Sequence, residues 1–214
     1  LERWLAAIEG PQILVSEGEE RSLDPLGNAQ QWSGGLEAWV RGQTGVEGDG
    51  HGRVELRFND ALVDAVLDQR LPLQGAVNEP ALSRYLARLL PADLPVMLSA
   101  SSPVRDWLTW SGSAGADRRC FSFRGASGID GTLSLAMGLS LELGRMVLIT
   151  GDLALLHDSN GWLHASAMAP PLLVLLIDNN GGGIFQQLPI DVESTAGLNR
   201  LFAMPQDVDQ LALA

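Results

Sequence analysis

Asp152, in Thr150-Gly151-Asp152-Leu153, and Asn179, in Asp178-Asn179-Asn180-Gly181-Gly182-Gly183, stand 27 residues apart and offer oxygen donors of the kind a hard cation takes. Each follows an apolar run with strand character, residues 146–149 before the first and 172–177 before the second. Residues 153–168 between them have the length and pattern of a helix, so the segment reads as strand–helix–strand. A helical crossover makes the two strands parallel, and their carboxyl ends then lie side by side. One ion can sit between a carboxylate and an amide placed there. Oxygen ligands suit magnesium or calcium, and magnesium usually keeps a phosphate among its partners. The pair therefore points to a metal–diphosphate site. Taken singly, Asp152 reads as well as a helix cap, and Asn179-Asn180-Gly181 as an ordinary turn.

A second turn lies upstream. Residues 125–131, Gly-Ala-Ser-Gly-Ile-Asp-Gly, stand where a strand passes into a helix, and small residues there let backbone N–H groups approach an anion. The same glycines also suit a tight connection with no ligand, and the string is not a GxGxxG fingerprint. Arg105 and Arg124 are the basic residues nearest this edge, and Ser101 precedes Arg105. Isolated arginines are usually surface residues, but beside an anion site they become clamps for carboxylates. Ile184 and Phe185 border the same region and read otherwise as core. His157 and His164, seven apart, make a poor metal site and read as surface or packing residues, and His51 lies in a glycine-rich loop.

The elements that must position these residues form a regular α/β alternation from residue 94 onward. Strands are expected at 95–98, 121–123, 146–149 and 172–177, and helices at 129–143 and 153–168, which implies a parallel sheet with helices on both faces. The preceding part is different. It has a short strand at 12–15, a polar turn-rich stretch to Asn28, and helices at 61–70 and 80–90, the second with an apolar face of Leu82, Tyr85, Leu86 and Leu89. Residues 1–5 look like the middle of a helix and 211–214 like the start of one, so both ends read as cut from something longer.

Composition narrows the function classes. The 214 residues carry a net charge of −12 and 46% apolar residues. All 14 basic residues are arginine, with no basic run to neutralise phosphates, so nucleic acid is not an expected partner. The missing lysine also excludes a Walker A loop and Schiff-base chemistry. The longest apolar stretch, 167–177, is interrupted by Pro170-Pro171 and is too short for a membrane span. Cys120 is the only cysteine, which favours a reducing, cytoplasmic location, and its apolar surroundings predict a buried, inert thiol.

Gly-Asp at one strand end followed by Asn-Asn resembles the signature of thiamine diphosphate enzymes, a truncated thiamine diphosphate-binding fold in this chain. More narrowly, residues 124–131 (RGASGIDG) and 179–185 (NNGGGIF) are similar to the 2-succinyl-5-enolpyruvyl-6-hydroxy-3-cyclohexene-1-carboxylate synthase family of menaquinone and phylloquinone biosynthesis. Ser16-Glu17-Gly18 and Gly27-Asn28 resemble that family's central domain. The resemblance implies residues 1–92 as the last part of the central domain plus a linker, and 93–214 as an incomplete diphosphate-binding domain. It implies thiamine diphosphate as cofactor, with Ser127, Gly128, Ile129, Gly151, Asp152, Leu153 and Asn179 binding it. Asp152, Asn179 and Gly181 would hold magnesium or manganese.

The implied reaction is decarboxylation of 2-oxoglutarate and transfer of the four-carbon unit to isochorismate. Arg105, Arg124 and Ile129 would be the catalytic residues of this half of the site, and Ser101, Arg105, Arg124, Ile184 and Phe185 would bind substrate. Leu153 stands where many superfamily members have glycine, a glycine that this family commonly lacks too, and Asp178 stands where asparagine is frequent. The family's first domain, with the glutamate that activates the cofactor, has no counterpart in these residues. A homodimer or homotetramer is implied for a full-length enzyme. Two other readings stand beside this one: another thiamine diphosphate 2-oxo acid decarboxylase or acetohydroxyacid synthase-like enzyme, and a cofactor-binding module without activity of its own.

Overall fold

A computed structural model describes residues 5–19, 21–43, 60–71, 74–123, 128–187, 197 and 199–214. The chain divides into two compact units, Leu1–Arg57 and Phe58–Ala214. In the first, strand β1 (Gln12–Val15) pairs in parallel with β2 (Ala29–Trp32), and helix α1 follows at Leu36–Gln43. The turn between the strands is organised by Asp24, whose carboxylate accepts the N–H groups of Leu26, Asn28 and Ala29.

The second unit begins with α2 (Asp60–Arg70) and α3 (Glu79–Leu89). Four parallel strands follow: β3 (Val96–Leu98), β4 (Cys120–Phe121), β5 (Met146–Gly151) and β6 (Leu172–Ile177), in the order β4-β3-β5-β6. Between β3 and β4 lie α4 (Ser102–Trp110) and α5 (Ser113–Ala116), and α6 (Thr132–Leu143) leads into β5. The β5–β6 crossover holds α7 (Asp152–His157), a 3₁₀ turn at Ser159–Gly161 and α8 (Trp162–Met168). A short helix α9 (Gln210–Leu213) ends the chain, capped by Asp209.

The central strands β3 and β5 are buried along nearly their whole length because both of their faces are covered. Val96, Leu98, Val147 and Ile149 pack on Leu86 and Ala87 of α3 and on Val104 and Trp107 of α4. Their neighbours Met97, Met146 and Leu148 point the other way, onto Leu133, Ala136 and Met137 of α6 and Leu155 of α7. The strand period of two thus feeds two separate helical layers, as the sequence pattern predicts.

Three local expectations are corrected. The predicted helix 153–168 is broken near Asp158. That residue is buried, and its carboxylate accepts the Ser134 N–H at 2.7 Å and the Ser134 hydroxyl at 3.1 Å. It so satisfies the first turn of α6, which Gly131 at the N-cap position cannot do with a side chain. His157 and His164 therefore lie on different helices, both exposed. Helix α3 also turns a different face inward: Leu86 is buried and Leu82 partly so, whereas Tyr85 and Leu89 are exposed. Small residues, Ala81, Ser83 and Ala87, face inward instead, letting α3 lie close to its neighbours. Cys120, expected to be buried, is exposed, because β4 is a two-residue strand at the sheet edge. His51 lies outside the described residues.

Two buried arginines fix α3. Arg84 donates to both Asp68 (2.7 Å) and Asp64 (3.0 Å) of α2. Arg118 donates to the carbonyls of Pro91, Leu94 (3.0 Å), Ala87 (3.1 Å) and Leu90 (2.8 Å), taking up the open carbonyl end of the helix. Replacing Arg118 by Met strands these acceptors. We expect a loss of about 2–4 kcal/mol in urea unfolding of the sheet unit, the scale of hydrogen bonds to a charged group.

Candidate functional site

Strand β3 lies between β4 and β5, and the chain leaves β3 and β5 in opposite directions across the sheet. The outgoing helices differ correspondingly: α4 covers one face, and α7 the other. Such a reversal opens a crevice at the carboxyl ends of the strands. A cavity of ≈ 430 Å³ occurs there, reaching from Ser101 after β3 to Gly151 and Asp152 after β5 and to Asn179 and Gly181 after β6. A larger hollow of ≈ 670 Å³ lies at the opposite, amino ends, against Pro95, Met146 and Leu172. Its lining has a single carboxylate, Asp93, and none of the site residues singled out from the sequence, so the smaller cavity is the functional candidate.

The register of β5 on β6 assembles the centre of this site. Thr150 pairs with Leu176 and Gly151 with Ile177, so the next residues of both strands emerge together. Asp152 is the first residue of α7 rather than its cap, and it is 4% exposed. One carboxylate oxygen accepts its neighbour Leu153 N–H at 2.9 Å, and the other accepts the Gly181 N–H at 2.5 Å. The turn that presents Gly181 uses left-handed backbone at Asn180 (φ 62°) and Gly181 (φ 115°), and Asp178 holds the Asn180 N–H at 3.0 Å. A Cβ at Gly181 would collide with the Ala203 carbonyl, so only glycine fits.

Electrostatics make this a cation-seeking place. Burial pushes the Asp152 carboxyl above its ordinary range, and the nearby Asp178 carboxyl adds to the rise. Backbone N–H bonds from Leu153 and Gly181 oppose the shift. Among the described residues, neither Asp152 nor Asp178 forms an ion pair with an arginine. No described cluster of three His, Cys, Asp or Glu suits a metal, so an amide and a backbone carbonyl would have to complete any ligand set. Carboxylate, amide oxygen and carbonyl are the hard donors magnesium and manganese accept. The residues fit such an ion.

The remaining expected positions gather around this point. Ser101 has φ 74°, unusual for a residue with a side chain, and its carbonyl accepts a 2.7 Å hydrogen bond from Arg105, which is exposed on the cavity wall. Gly128 and Ile129 come from the loop before α6, and the Ile129 carbonyl accepts the Thr132 hydroxyl at 3.2 Å. Leu153, Ile184 and Phe185 line the same space. Phe185 meets Phe202 edge to face, with ring centroids 5.6 Å apart. Arg124 and Ser127 lie outside the described residues, as does the start of the glycine turn at 125–126.

No family model matches the chain. Curated relatives do, and three carry one name, 2-succinyl-5-enolpyruvyl-6-hydroxy-3-cyclohexene-1-carboxylate synthase. They come from Parasynechococcus marenigrum (strain WH8102), at 65% identity, from Synechococcus sp. (strain CC9902), at 62%, and from Prochlorococcus marinus (strain MIT 9313), at 53%. Each similarity covers 100% of the chain. The chain is thus similar, over its whole length, to one part of these synthases. It spans 38% of the length of each of these three synthases.

Two acidic residues at or beside the site were not legible as such in the sequence. Glu79 opens α3 and lines the cavity, where it accepts the Asn179 amide N–H at 2.6 Å across 100 positions of sequence. Asp106 of α4 lies close enough to Glu79 for the two carboxyl groups to act on each other. Asn78-Glu79-Pro80 carries only the marks of a helix start, and nothing in the local pattern reveals contact with residue 179. Burial, followed by the nearby Glu79 carboxyl, lifts the Asp106 carboxyl from 3.8 to about 6. The folded state then binds its proton more tightly than the unfolded chain does. Stability from this group is full below about pH 4 and is lost as pH rises through about 6. Asp106→Asn should flatten that fall, read as unfolding midpoints measured from pH 4 to 8.

Proposed function

We propose that this chain carries the metal–diphosphate half of a thiamine diphosphate-dependent 2-succinyl-5-enolpyruvyl-6-hydroxy-3-cyclohexene-1-carboxylate synthase site. The activity would be decarboxylation of 2-oxoglutarate and transfer of its four-carbon unit to isochorismate, in menaquinone or phylloquinone biosynthesis. The observation that carries the reading is the meeting of Asp152 with Gly181 at 2.5 Å, beside Asn179, at adjacent carboxyl ends of β5 and β6. Similarity along the whole of this chain, to 38% of the length of the named synthases, supports the choice of reaction. In this reading residues 1–92 are the end of a central domain plus linker, and 93–214 part of a diphosphate-binding domain. A cytoplasmic homodimer or homotetramer is the corresponding assembly.

When bound, thiamine diphosphate would supply the electron sink for decarboxylation. The chain's own residues would position it and manage charge. The Asp152 carboxylate, the Asn179 side-chain oxygen and the Gly181 carbonyl would hold magnesium or manganese. Ser127, Gly128, Gly151 and Leu153 would approach the cofactor, and Ile129 would serve as its apolar support. Arg105 and Arg124, with Ser101, would grip substrate carboxylates, since a guanidinium fork matches a carboxylate in two hydrogen bonds. Ile184 and Phe185 would wall the reacting centre from water. The exposed Arg105 on the cavity wall favours acidic substrates over the smaller apolar ones of other 2-oxo acid decarboxylases.

Calorimetric titration of the 214-residue chain with thiamine diphosphate and magnesium tests this reading. Wild type should bind in a magnesium-dependent manner, and Asp152→Ala should weaken binding roughly 100-fold or more, the scale of removing a buried hydrogen-bonded charge. Binding that survives the substitution, or no binding by wild type, would remove the metal–diphosphate reading.

A further inference from the structure

We propose that Glu79 is a positioning residue that sets the orientation of the Asn179 amide for metal ligation. This inference rests on the metal–diphosphate reading above.

An amide side chain has one end that donates and one that accepts, and only the oxygen can ligate a hard cation. An ionised carboxylate can only accept, so the end of Asn179 that faces Glu79 must be Nδ2, as the 2.6 Å contact has it. The amide is planar, so fixing Nδ2 fixes Oδ1 on the other side. Among the described residues no donor is bonded to Oδ1. Rotated by half a turn, Asn179 would present an NH₂ group where a ligand is needed and would bring two oxygens together at Glu79. Glu79 therefore selects the ligating rotamer before a cation arrives.

The carboxylate is itself held on a rigid support. Its helix α3 starts at an Asn78 cap that accepts the Ala81 N–H at 2.9 Å, and it is anchored by Leu86 and Ala87 in the core. Arg84 ties the same helix to Asp64 and Asp68. Asp106 contacts Glu79 from α4. Asn179, by contrast, is exposed and sits on a glycine-rich turn. An exposed hydrogen bond of this kind adds little to stability. Its effect lies in direction, as outer partners orient the ligands of metal sites.

The test is manganese titration calorimetry of the 214-residue chain at saturating thiamine diphosphate, with thermal unfolding measured without metal. Glu79→Ala should raise the manganese dissociation constant roughly 10-fold or more, with the metal-free melting temperature unchanged. Glu79→Gln, whose amide can donate as well as accept, can pair with either end of Asn179. It should weaken manganese binding to a value between wild type and Glu79→Ala. Wild-type affinity in Glu79→Gln would overturn selection by an acceptor-only group. In an Asn179→Ala background, Glu79→Ala should add nothing, because its effect passes through that amide. Wild-type affinity in Glu79→Ala, while Asp152→Ala loses the metal, would overturn the positioning role and leave the metal site standing. An equal loss on adding Glu79→Ala to Asn179→Ala would also overturn it, as a contribution that does not act through Asn179. Undiminished binding by Asp152→Ala would instead overturn the underlying metal reading.

Discussion

The parallel register of β5 on β6 is the constraint from which the site follows. Six paired positions, ending at Gly151 and Ile177, bring the residues beyond both strands out at one level. A shift by one residue would turn Met146 and Leu148 away from α6 and would move Asp152 away from Gly181. The packing that fixes the core and the contact that assembles the oxygen donors are therefore the same constraint seen at two places. Burial of Met146, Val147, Leu148 and Ile149 between two helical layers makes that register expensive to lose.

Order at the site is supplied by backbone conformations that would be unfavourable elsewhere. Ser101 and Asn180 take positive φ, and Gly181 sits where no side chain fits against Ala203. Such strain persists only when the surrounding structure over-determines it. Here the surroundings are the buried Asp152 carboxylate and the segment 199–204, whose Ala203 carbonyl accepts the Gly182 N–H at 2.5 Å. The result is a turn held on two sides, with its amides and carbonyls aimed before any ligand is present.

Helix α3 links this edge to the body of the unit. Arg84 and Arg118, both buried, satisfy carboxylates on one neighbour and carbonyls at its own end. A helix fastened in this way can carry Glu79 to Asn179 without the variation of a loop. The α/β alternation, the parallel sheet and the bounds of β1 and β6 were legible because apolar runs, turn residues and lengths all agree there. The β5–α7 junction was legible for the same reason. The split in the crossover helix was not, because Asp158 leaves helical geometry only for Ser134, a partner on another helix. Nor was the exposure of Cys120, which depends on β4 being two residues long at the edge.

By itself the sequence determined which groups stand at each strand end: a Gly-Asp after one apolar run and Asn-Asn-Gly after the next. Periodicity is a local property, and ligand types with their spacing are written in the chain directly. Only the tertiary structure decided that Asp152 bonds the Gly181 amide, that α3 turns small residues rather than Tyr85 inward, and that Glu79 meets Asn179. Those are contacts between segments distant in sequence. Their existence depends on how helices pack on the sheet, where volume, close approach and unsatisfied polar groups are balanced over the whole unit rather than within any one stretch of it.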